Sequence, residues 1–540
     1  MAKRKRQLRE RHPTPAANGR APNAVNTGYS EGGASRSRSA LIGYNPIKSS
    51  PQSDVDANLT TLRNRSADMY TNSPLGAGAI NSSRTNVIGA GLRLSPKIDY
   101  ALLGMSPERA KAWQRKTQRE FELWASTVAC DLYKKHNFYD LQDIAYLCYL
   151  VDGDAWAAIK YRKPTPLCPY RTRIQLFEAA RVCNPDTYTA VIGSDAFTVE
   201  MTNPDNGNRI VNGVEVDKDG AVVAYWVTNR IPYDPTNVTR KLEWVRVAAF
   251  GKRTGMPQVL QVSHEERPEQ YRGVPYIAPA IEVLKQVSRY TNAELSAAII
   301  KSFFTLFFTS GSASDLGDVL GETYGPHEQV DTDDLRHVEV GPGTLNLLPE
   351  GVDVKAIDGN RNLSTFEPFT NVLISQIGAS LGIPSEVILN RFQDSYSAAR
   401  GALLQAAAVF KARRTWFARD FCQPIYEAWL YEAVSLGRIQ APGFGEDPLI
   451  TKAWSRADWF GPVMGMLDPV KEANGAALRV KYGFSTAERE TAELTGTDYD
   501  SNVDQIASER NAWTSKGMNF PRVDTTDTTD SNKAEGGETK

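Results

Sequence analysis

From Ala280 to Thr309 the chain contains neither Gly nor Pro and repeats apolar side chains at helical spacing, which predicts one rod of about 45 Å. A second helical pattern fills about 364–381 and stops at Gly382 with Pro384 just beyond. A third runs from about Ser397 to Cys422, is kinked or restarted at Pro424, and stops at Gly437. Nearer the N-terminus, 58–80 reads as a helix and "NVIGAGLRLSP" as a strand. "SPERAKAWQRKTQREFELWAS" reads as a helix with Ser106 at the N-cap and Pro107 at the first helical position, and another helix covers about 139–151. Alternation takes over from Thr172 to about Val262, where "GVEVDKDGAVVAYWV" predicts a hairpin turning at Asp219-Gly220. A loop-rich insert at roughly 310–360 closes with "TLNLLPEGVDVKAI", two short strands around a Pro-Glu-Gly turn. Short helices follow near the C-terminus, one after Asp468-Pro469 and one with a capping box of Ser485 and Glu488. The pattern is that of an α+β, multidomain chain.

The third helix carries more than a core stripe. On a wheel of about 100° per residue, Leu403, Phe410, Phe417 and Phe421 share a narrow wedge, with Arg400, Lys411 and Arg414 along its flank. Ala398, Ala399, Ala402, Ala406, Ala407 and Ala408 cover much of the remaining surface, and such small side chains permit close packing within the chain or across a subunit interface. An ordinary core helix whose long basic side chains reach out to water explains the same pattern.

Length and charge narrow the picture. A chain of 540 residues exceeds one hydrophobic core and implies three or four compact units. A formal net charge of -1 argues against a general polyanion binder, so any nucleic-acid role must be local or non-gripping. Residues 1–57 open with "KRKRQLRER" and continue through Ser, Gly, Ala, Pro and Asn, a composition that predicts a disordered basic tail; 521–540 reads as a second disordered tail. The N-terminus has no apolar run of the secretory kind. The most apolar stretch, "AAIIKSFFTLFF" at 297–308, is too short to span a bilayer and contains Lys301, so no membrane segment is expected. Cys130, Cys148, Cys168, Cys183 and Cys422 form no CxxC and no cluster, which suggests reduced, buried thiols.

The signatures of catalysis are missing. "GKRTG" at 251–255 lacks the upstream glycine spacing of a phosphate loop, and "GAG" at 89–91 does not open a glycine-spaced helix. "DVDANL" at 54–59 lacks the turn glycine and the twelfth-position glutamate of a calcium loop. His12, His136, His264, His327 and His337 are scattered, without HExxH or Cys/His zinc spacing, and GxSxG is absent. Asp152 and Asp154 in "VDGDAW" could form a carboxylate pair, but a turn between a helix and a strand accounts for them. "RVCNPD" at 181–186 looks like the end of a strand entering an Asn-Pro turn. No catalytic residue, cofactor or metal is expected.

The order of motifs resembles the lambda-type portal proteins of tailed bacteriophages, from about 58 to 515. The matching pieces are "LRNRSADMYTNSPLGAGAINSSRTNVIGAGLRLSP", "FELWASTVACD", "GVEVDKDGAVVAYWV", "YRGVPYIAPAIEVLKQVSRYTNAELSAA", "PGTLNLLPEGVDVKAID", "LGIPSEVIL", "SYSAARGALLQ" and "DPVKEANGAALRVKYGFST". Each is weak alone; together they keep the family's order and spacing. One departure is that the family typically has Asn-Tyr-Ser-Ser before the arginine, where here Ser395 and Ala398 flank Tyr396-Ser397.

The resemblance implies a homo-oligomeric ring, usually of twelve copies, at one capsid vertex in the virion, assembled in the host cytoplasm. Double-stranded DNA passes through its channel, driven in by a separate terminase docked on the clip, and later leaves the same way. Such a portal also nucleates head assembly with the major capsid and scaffold proteins and holds the head-completion and tail proteins. By family order the wing covers 58–274 and a long helix at 397–440, the stem 275–309 and 363–383, the clip 310–362, the channel loop 384–396 and the crown 441–520. Arg391, Asn390 and Gln393 become DNA-facing candidates, Ser397 the helix cap after the loop, and Arg400, Lys411 and Arg414 candidates for the subunit interface. The near-neutral charge fits, because a lumen crowded with Lys and Arg would gain affinity at each phosphate and stall a sliding duplex. The competing readings are a soluble hydrolase with a dispersed catalytic set, in which one of His136, His264, His327 or His337 would share a closed pocket with a carboxylate and a nucleophile, and another virion component such as a head-tail adaptor.

Overall fold

The computed structural model describes residues 39–185, 200–232, 234, 241–302, 306–309, 329–331, 345–348, 366–391, 396–463 and 468–518. The chain divides into two compact units, Met1–Ser50 and Pro51–Lys540. In the first, the described residues hold a single 3-10 turn, Ser39–Leu41.

The second unit begins with α1 (Leu59–Asn72) and α2 (Pro74–Val87). The pattern predicted one helix over 58–80, but Ser73 adopts an extended backbone and its hydroxyl accepts from the Gly76 amide, so Ser73-Pro74 ends one helix and caps the next. Of "NVIGAGLRLSP" only β1 (Arg93–Pro96) is a strand, because α2 runs to Val87 and Gly89 and Gly91 take positive φ. Next, α3 (Pro107–Ala125) starts as expected, with Ser106 accepting from the Arg109 amide. α4 (Phe138–Asp152) is opened by a capping box of Asn137 and Asp140.

Gly153, at φ +87, reverses α4 directly into β2 (Asp154–Tyr161). It leads to β3 (Thr172–Phe177), β4 (Glu200–Thr202), β5 (Arg209–Val211), β6 (Val214–Val216), β7 (Val222–Thr228), β8 (Trp244–Ala248) and β9 (Val259–Ser263). β3, β2 and β9 make one antiparallel sheet in that order, and β4 to β8 make a five-stranded antiparallel meander. The predicted hairpin is β6–β7: Asp217 accepts from the amides of Asp219 and Ala221, and Gly220 supplies the φ of +86. "RVCNPD" is not a strand end but follows a 3-10 turn, Ala179–Arg181; Asn184 accepts from the Gly213 amide, and Pro185 leads toward 186, which lies outside the described residues.

The long rod is shorter than predicted. α5 (Ile281–Ser302) stops seven residues early, and β10 (Leu306–Thr309) pairs in parallel with β12 (Leu345–Leu348), beside β11 (Gln329–Asp331). The apolar, aromatic run satisfies either element, and a partner strand forty residues away selects the strand. The second strand predicted after Pro349 lies outside the described residues. α6 (Phe366–Leu381) ends at Gly382, φ +67, and α7 (Ser385–Leu389) follows. α8 (Tyr396–Phe417) passes through a π-helical turn, Ala418–Cys422, into α9 (Gln423–Ser435), which has Pro424 in its first turn.

The remainder comprises α10 (Pro448–Ser455), β13 (Ala457–Phe460), α11 (Pro469–Lys481), α12 (Ala487–Thr495) and α13 (Tyr499–Ser515). β13 pairs antiparallel with β1, tying sequence 360 residues apart. The cap of α12 is Thr486, one residue beyond the predicted Ser485; its hydroxyl accepts from the Arg489 amide.

One large core joins α2, α3, α4, α8 and α9. Phe121 sits at its centre, in ring contact with Trp124, Phe138, Tyr426, Trp429 and Trp459. Burying each such ring stabilises the fold by roughly 1.5–3 kcal/mol. A second core holds the two sheets together through Trp156, Ala158, Val214, Val216, Tyr225 and Val259. All five cysteines are free, with Cys130, Cys168 and Cys422 buried. Among the described residues no helix is long and apolar enough to cross a membrane.

Candidate functional site

The segment between α6 and α8 is built on close backbone approaches. Ile383 donates its amide to the Gly378 carbonyl at 2.9 Å, and a Cβ on Gly378 would lie 2.4 Å from the Ile383 oxygen, so the turn admits only glycine there. Ile383, Val387 and Ile388 are buried and anchor the short α7. Asn390 then takes φ +51, and both its amide and that of Arg391 return to the Glu386 carbonyl. Asn390 and Arg391 are thereby exposed at the C-terminal end of α7. Arg391 pairs with Glu367 in the first turn of α6 at 2.8 Å, with both side chains more than half exposed. Such a pair is worth about 0–1 kcal/mol, so it orients the guanidinium without fixing it. Gln393 lies outside the described residues. Ser397 falls in the first turn of α8, which begins at Tyr396; its side chain also lies outside them.

The basic residues of α8 divide by burial. Arg400 is half-buried, and Lys411 reaches Glu493 of α12 at 2.8 Å. Arg414 turns inward, donating to the Val87 carbonyl at 3.1 Å, the Asn86 carbonyl at 2.8 Å and the Pro462 carbonyl. It thereby closes the C-terminus of α2 and secures the connection after β13. Sequence reasoning missed the neighbouring Arg413. Its guanidinium lies 4.2 Å over the Tyr276 ring and donates to the Leu381 carbonyl, which also accepts from the Tyr276 hydroxyl. The signal was available: four residues before Phe417, Arg413 borders the apolar wedge, where a cation needs buried partners.

A second charged centre lies where α1, α4 and both sheets meet. The Asp154 carboxylate accepts from Arg63 at 2.8 Å, from Arg272 at 2.7 Å and from the Trp156 indole at 3.1 Å, all buried. Arg272 spends its other donors on the carbonyls of Ala179, Val182 and Asn212. Burial alone would raise the Asp154 carboxyl, but Arg272 and Arg63 outweigh it and hold it below its ordinary value. Burial pushes Asp152 up to about 7 and Asp56 up to about 6, Arg272 and other neighbours opposing only in part. Asp152 and Asp154 do sit at a helix-to-strand turn, yet Asp154 is also the hub of a structural ion cluster. The hub has no role in sequence because Arg63 and Arg272 lie 91 and 118 residues away.

Of the histidines, His136 donates its amide to Asp131 and His264 meets Trp416 edge-on; His12, His327 and His337 lie outside the described residues. Among the described residues no three His, Cys, Asp or Glu side chains gather as a metal-ligand set.

Asn390 and Arg391 thus stand exposed after α7, on a scaffold of helices and antiparallel sheets. Residues 37–414 match the family described as phage portal protein, lambda family, and the chain belongs to that family of structural proteins. It is 23% identical to portal protein B of Escherichia phage lambda over 490 residues, 87% of each chain. It is 24% identical to the portal protein of Escherichia phage N15 over 507 residues, 89% of each. Among solved structures it is similar to a chain of the virion of a native gene transfer agent particle, with a TM-score of 0.38 and 12% identity over 82% of this chain and 94% of that one. A chain from the neck of such a particle, with C12 symmetry, gives a TM-score of 0.37 at the same identity and coverage.

Proposed function

We propose that this portal protein forms a ring of twelve copies at one vertex of the capsid, and that double-stranded DNA passes through the ring into the head and out again. The observation that carries the reading is the family match, supported by similarity to two phage portal proteins along nearly their whole lengths. In this reading 384–396 is the segment that meets the duplex, with Arg391 and Asn390 exposed on it and Gln393 beyond, and Ser397 lies in the first turn of the helix that follows rather than at its cap. Twelve copies of a single arginine make a ring of charge, enough to guide DNA without the grip that many phosphate contacts would produce. The clip, 310–362, receives the terminase; 58–274 and 397–440 form the wing, 275–309 and 363–383 the stem, and 441–520 the crown. The major capsid and scaffold proteins, and later the head-completion and tail proteins, are the remaining partners, met first in the host cytoplasm and then in the virion. Arg400 and Lys411 are the basic groups of α8 with exposed surface to offer a neighbouring copy, whereas the donors of Arg414 are occupied within its own chain.

Electron microscopy of the purified chain should show rings; compact monomers at every concentration and salt tested would end this reading. Arg391→Ala should leave the rings intact and alter DNA packaging or retention in assembled particles, and unchanged packaging removes Arg391 from the channel.

A further inference from the structure

The helices α11, α12 and α13 bury almost nothing of their own. Ala476 and Glu490 are the buried residues of α11 and α12, and α13 buries none along its 17 residues. On a wheel of about 100° per residue, Tyr499, Val503, Ile506 and Trp513 of α13 share a stripe about 80° wide, with Arg510 among them. Asp500 and Asp504 lie to one side of it, and these face α3, pairing with Lys111 at 3.2 Å and Arg115 at 3.3 Å. Val503 and Ile506 are each about two-fifths exposed, and the Asp504 side chain is more than half exposed even in its pair with Arg115.

The same unit carries a receptor of the opposite shape. An open apolar groove of about 490 Å³ runs between α11 and α12, lined by Ala476, Ala477, Val480, Ala487, Thr491 and Leu494. Small side chains in the lining leave room for the larger ones of a helix, as in ridge-into-groove packing. Glu490 also lines the groove but is held by Arg479 of its own chain, so Lys481 is the charge the groove offers, and Glu509 flanks the α13 stripe; Lys481 and Glu509 are both exposed.

We propose that the Tyr499–Val503–Ile506–Trp513 stripe of α13 seats in the α11/α12 groove of a second copy of this chain, with Glu509 beside Lys481. Ridge and groove are different surfaces of one unit, so the contact is head-to-tail and propagates from copy to copy until rotation closes it. The proposal rests on the ring reading above and adds the surfaces by which successive copies recognise one another.

The test uses the full-length chain with Ile506→Cys and Ala477→Cys, singly and together, oxidised and run on a non-reducing gel alongside electron microscopy. Both positions are exposed, and the native cysteines are buried or half-buried, so background crosslinking is low. Covalent dimers and higher multimers from the double variant alone support the proposal. Rings with no covalent bond between chains, a crosslink confined to the monomer, or dimers from Ile506→Cys alone overturn it while leaving the ring reading intact. If the unaltered chain forms no rings, the ring reading fails and takes the proposal with it. A charge reversal checks the pairing independently: Lys481→Glu should raise the concentration for half-assembly about threefold, and adding Glu509→Lys should restore it. Failure of that restoration removes the ion pair from the contact.

Discussion

At the residue scale, the Asp154 cluster sets how the protein responds to pH. Asp56 is buried beside Arg272, Asn212 and Asp154, and its carboxyl sits at about 6 instead of 3.8. Between roughly pH 4 and 6 the folded chain therefore binds this proton more tightly than the unfolded chain does. The stabilising contribution is complete below the lower value and is lost as pH rises through the upper one. Asp56→Asn should remove this loss, making the chain more stable than the parent at pH 8, by up to about 3 kcal/mol, with the difference vanishing near pH 4. Urea unfolding of both chains across that range checks it; equal stability at pH 8 would show that Asp56 ionises at little cost. Asp154 works in the opposite sense, its lowered value giving stability that is present at neutral pH and lost on acidification. Comparing the parent with Asp56→Asn isolates the first effect from the second.

At the scale of elements, the junction of α4 and β2 decides how the helical body meets the sheets. Gly153 and Gly273 pack backbone to backbone: a Cβ on Gly153 would lie 2.5 Å from the Gly273 carbonyl group, and one on Gly273 only 1.8 Å from the Gly153 oxygen. Gly153 also holds φ +87, where an alanine is strained whatever the space. Gly153→Ala should cost more than about 3 kcal/mol, because the strand carrying Asp154 must shift away from Arg63 and Arg272. A fall in Tm of ten degrees or more measures this, and a variant as stable as the parent would refute the account. By contrast, helices such as α3 are fixed locally: Ser106 and Pro107 start it, and Trp113, Phe121 and Trp124 give it a face. That is why α3 and the β6–β7 hairpin were legible from sequence, while the break at Ser73 and the end of α5 were not. Ser73-Pro74 carries a cap signal inside a longer helical pattern, and the strand at Leu306–Thr309 depends on Leu345–Leu348.

At the scale of the whole molecule, the C-terminal helices are joined to the rest of the second unit mainly through charge. Lys97 pairs with Glu488, Lys111 with Asp500, Arg115 with Asp504 and Lys411 with Glu493, all at or near the surface. Surface pairs weaken as the Debye length falls from about 10 Å at 0.1 M salt to about 3 Å at 1 M. Hydrogen exchange of dissociated chains should therefore lose protection in 487–515 at 1 M salt, by about three- to tenfold, while the core around Phe121 is unchanged. Equal protection at both salts would place the attachment in packing instead. In a closed ring the proposed seating of α13 on a second copy would suppress the same loss, so protection there reports assembly.

By itself the sequence determined the helix starts, the α+β character, the absence of familiar catalytic signatures and, through the order of its motifs, the family to which the chain belongs. These follow from residues within a few positions of one another, or from serial order, both of which the chain carries directly. Only the tertiary structure decided that Asp154 is a hub, that Arg413 and Arg414 turn inward while Arg391 stands exposed beside Glu367, and that Asp500 and Asp504 of α13 pair with α3. Each depends on partners up to several hundred residues away, and whether a charged side chain meets water or a buried partner is fixed by packing, which no local pattern encodes.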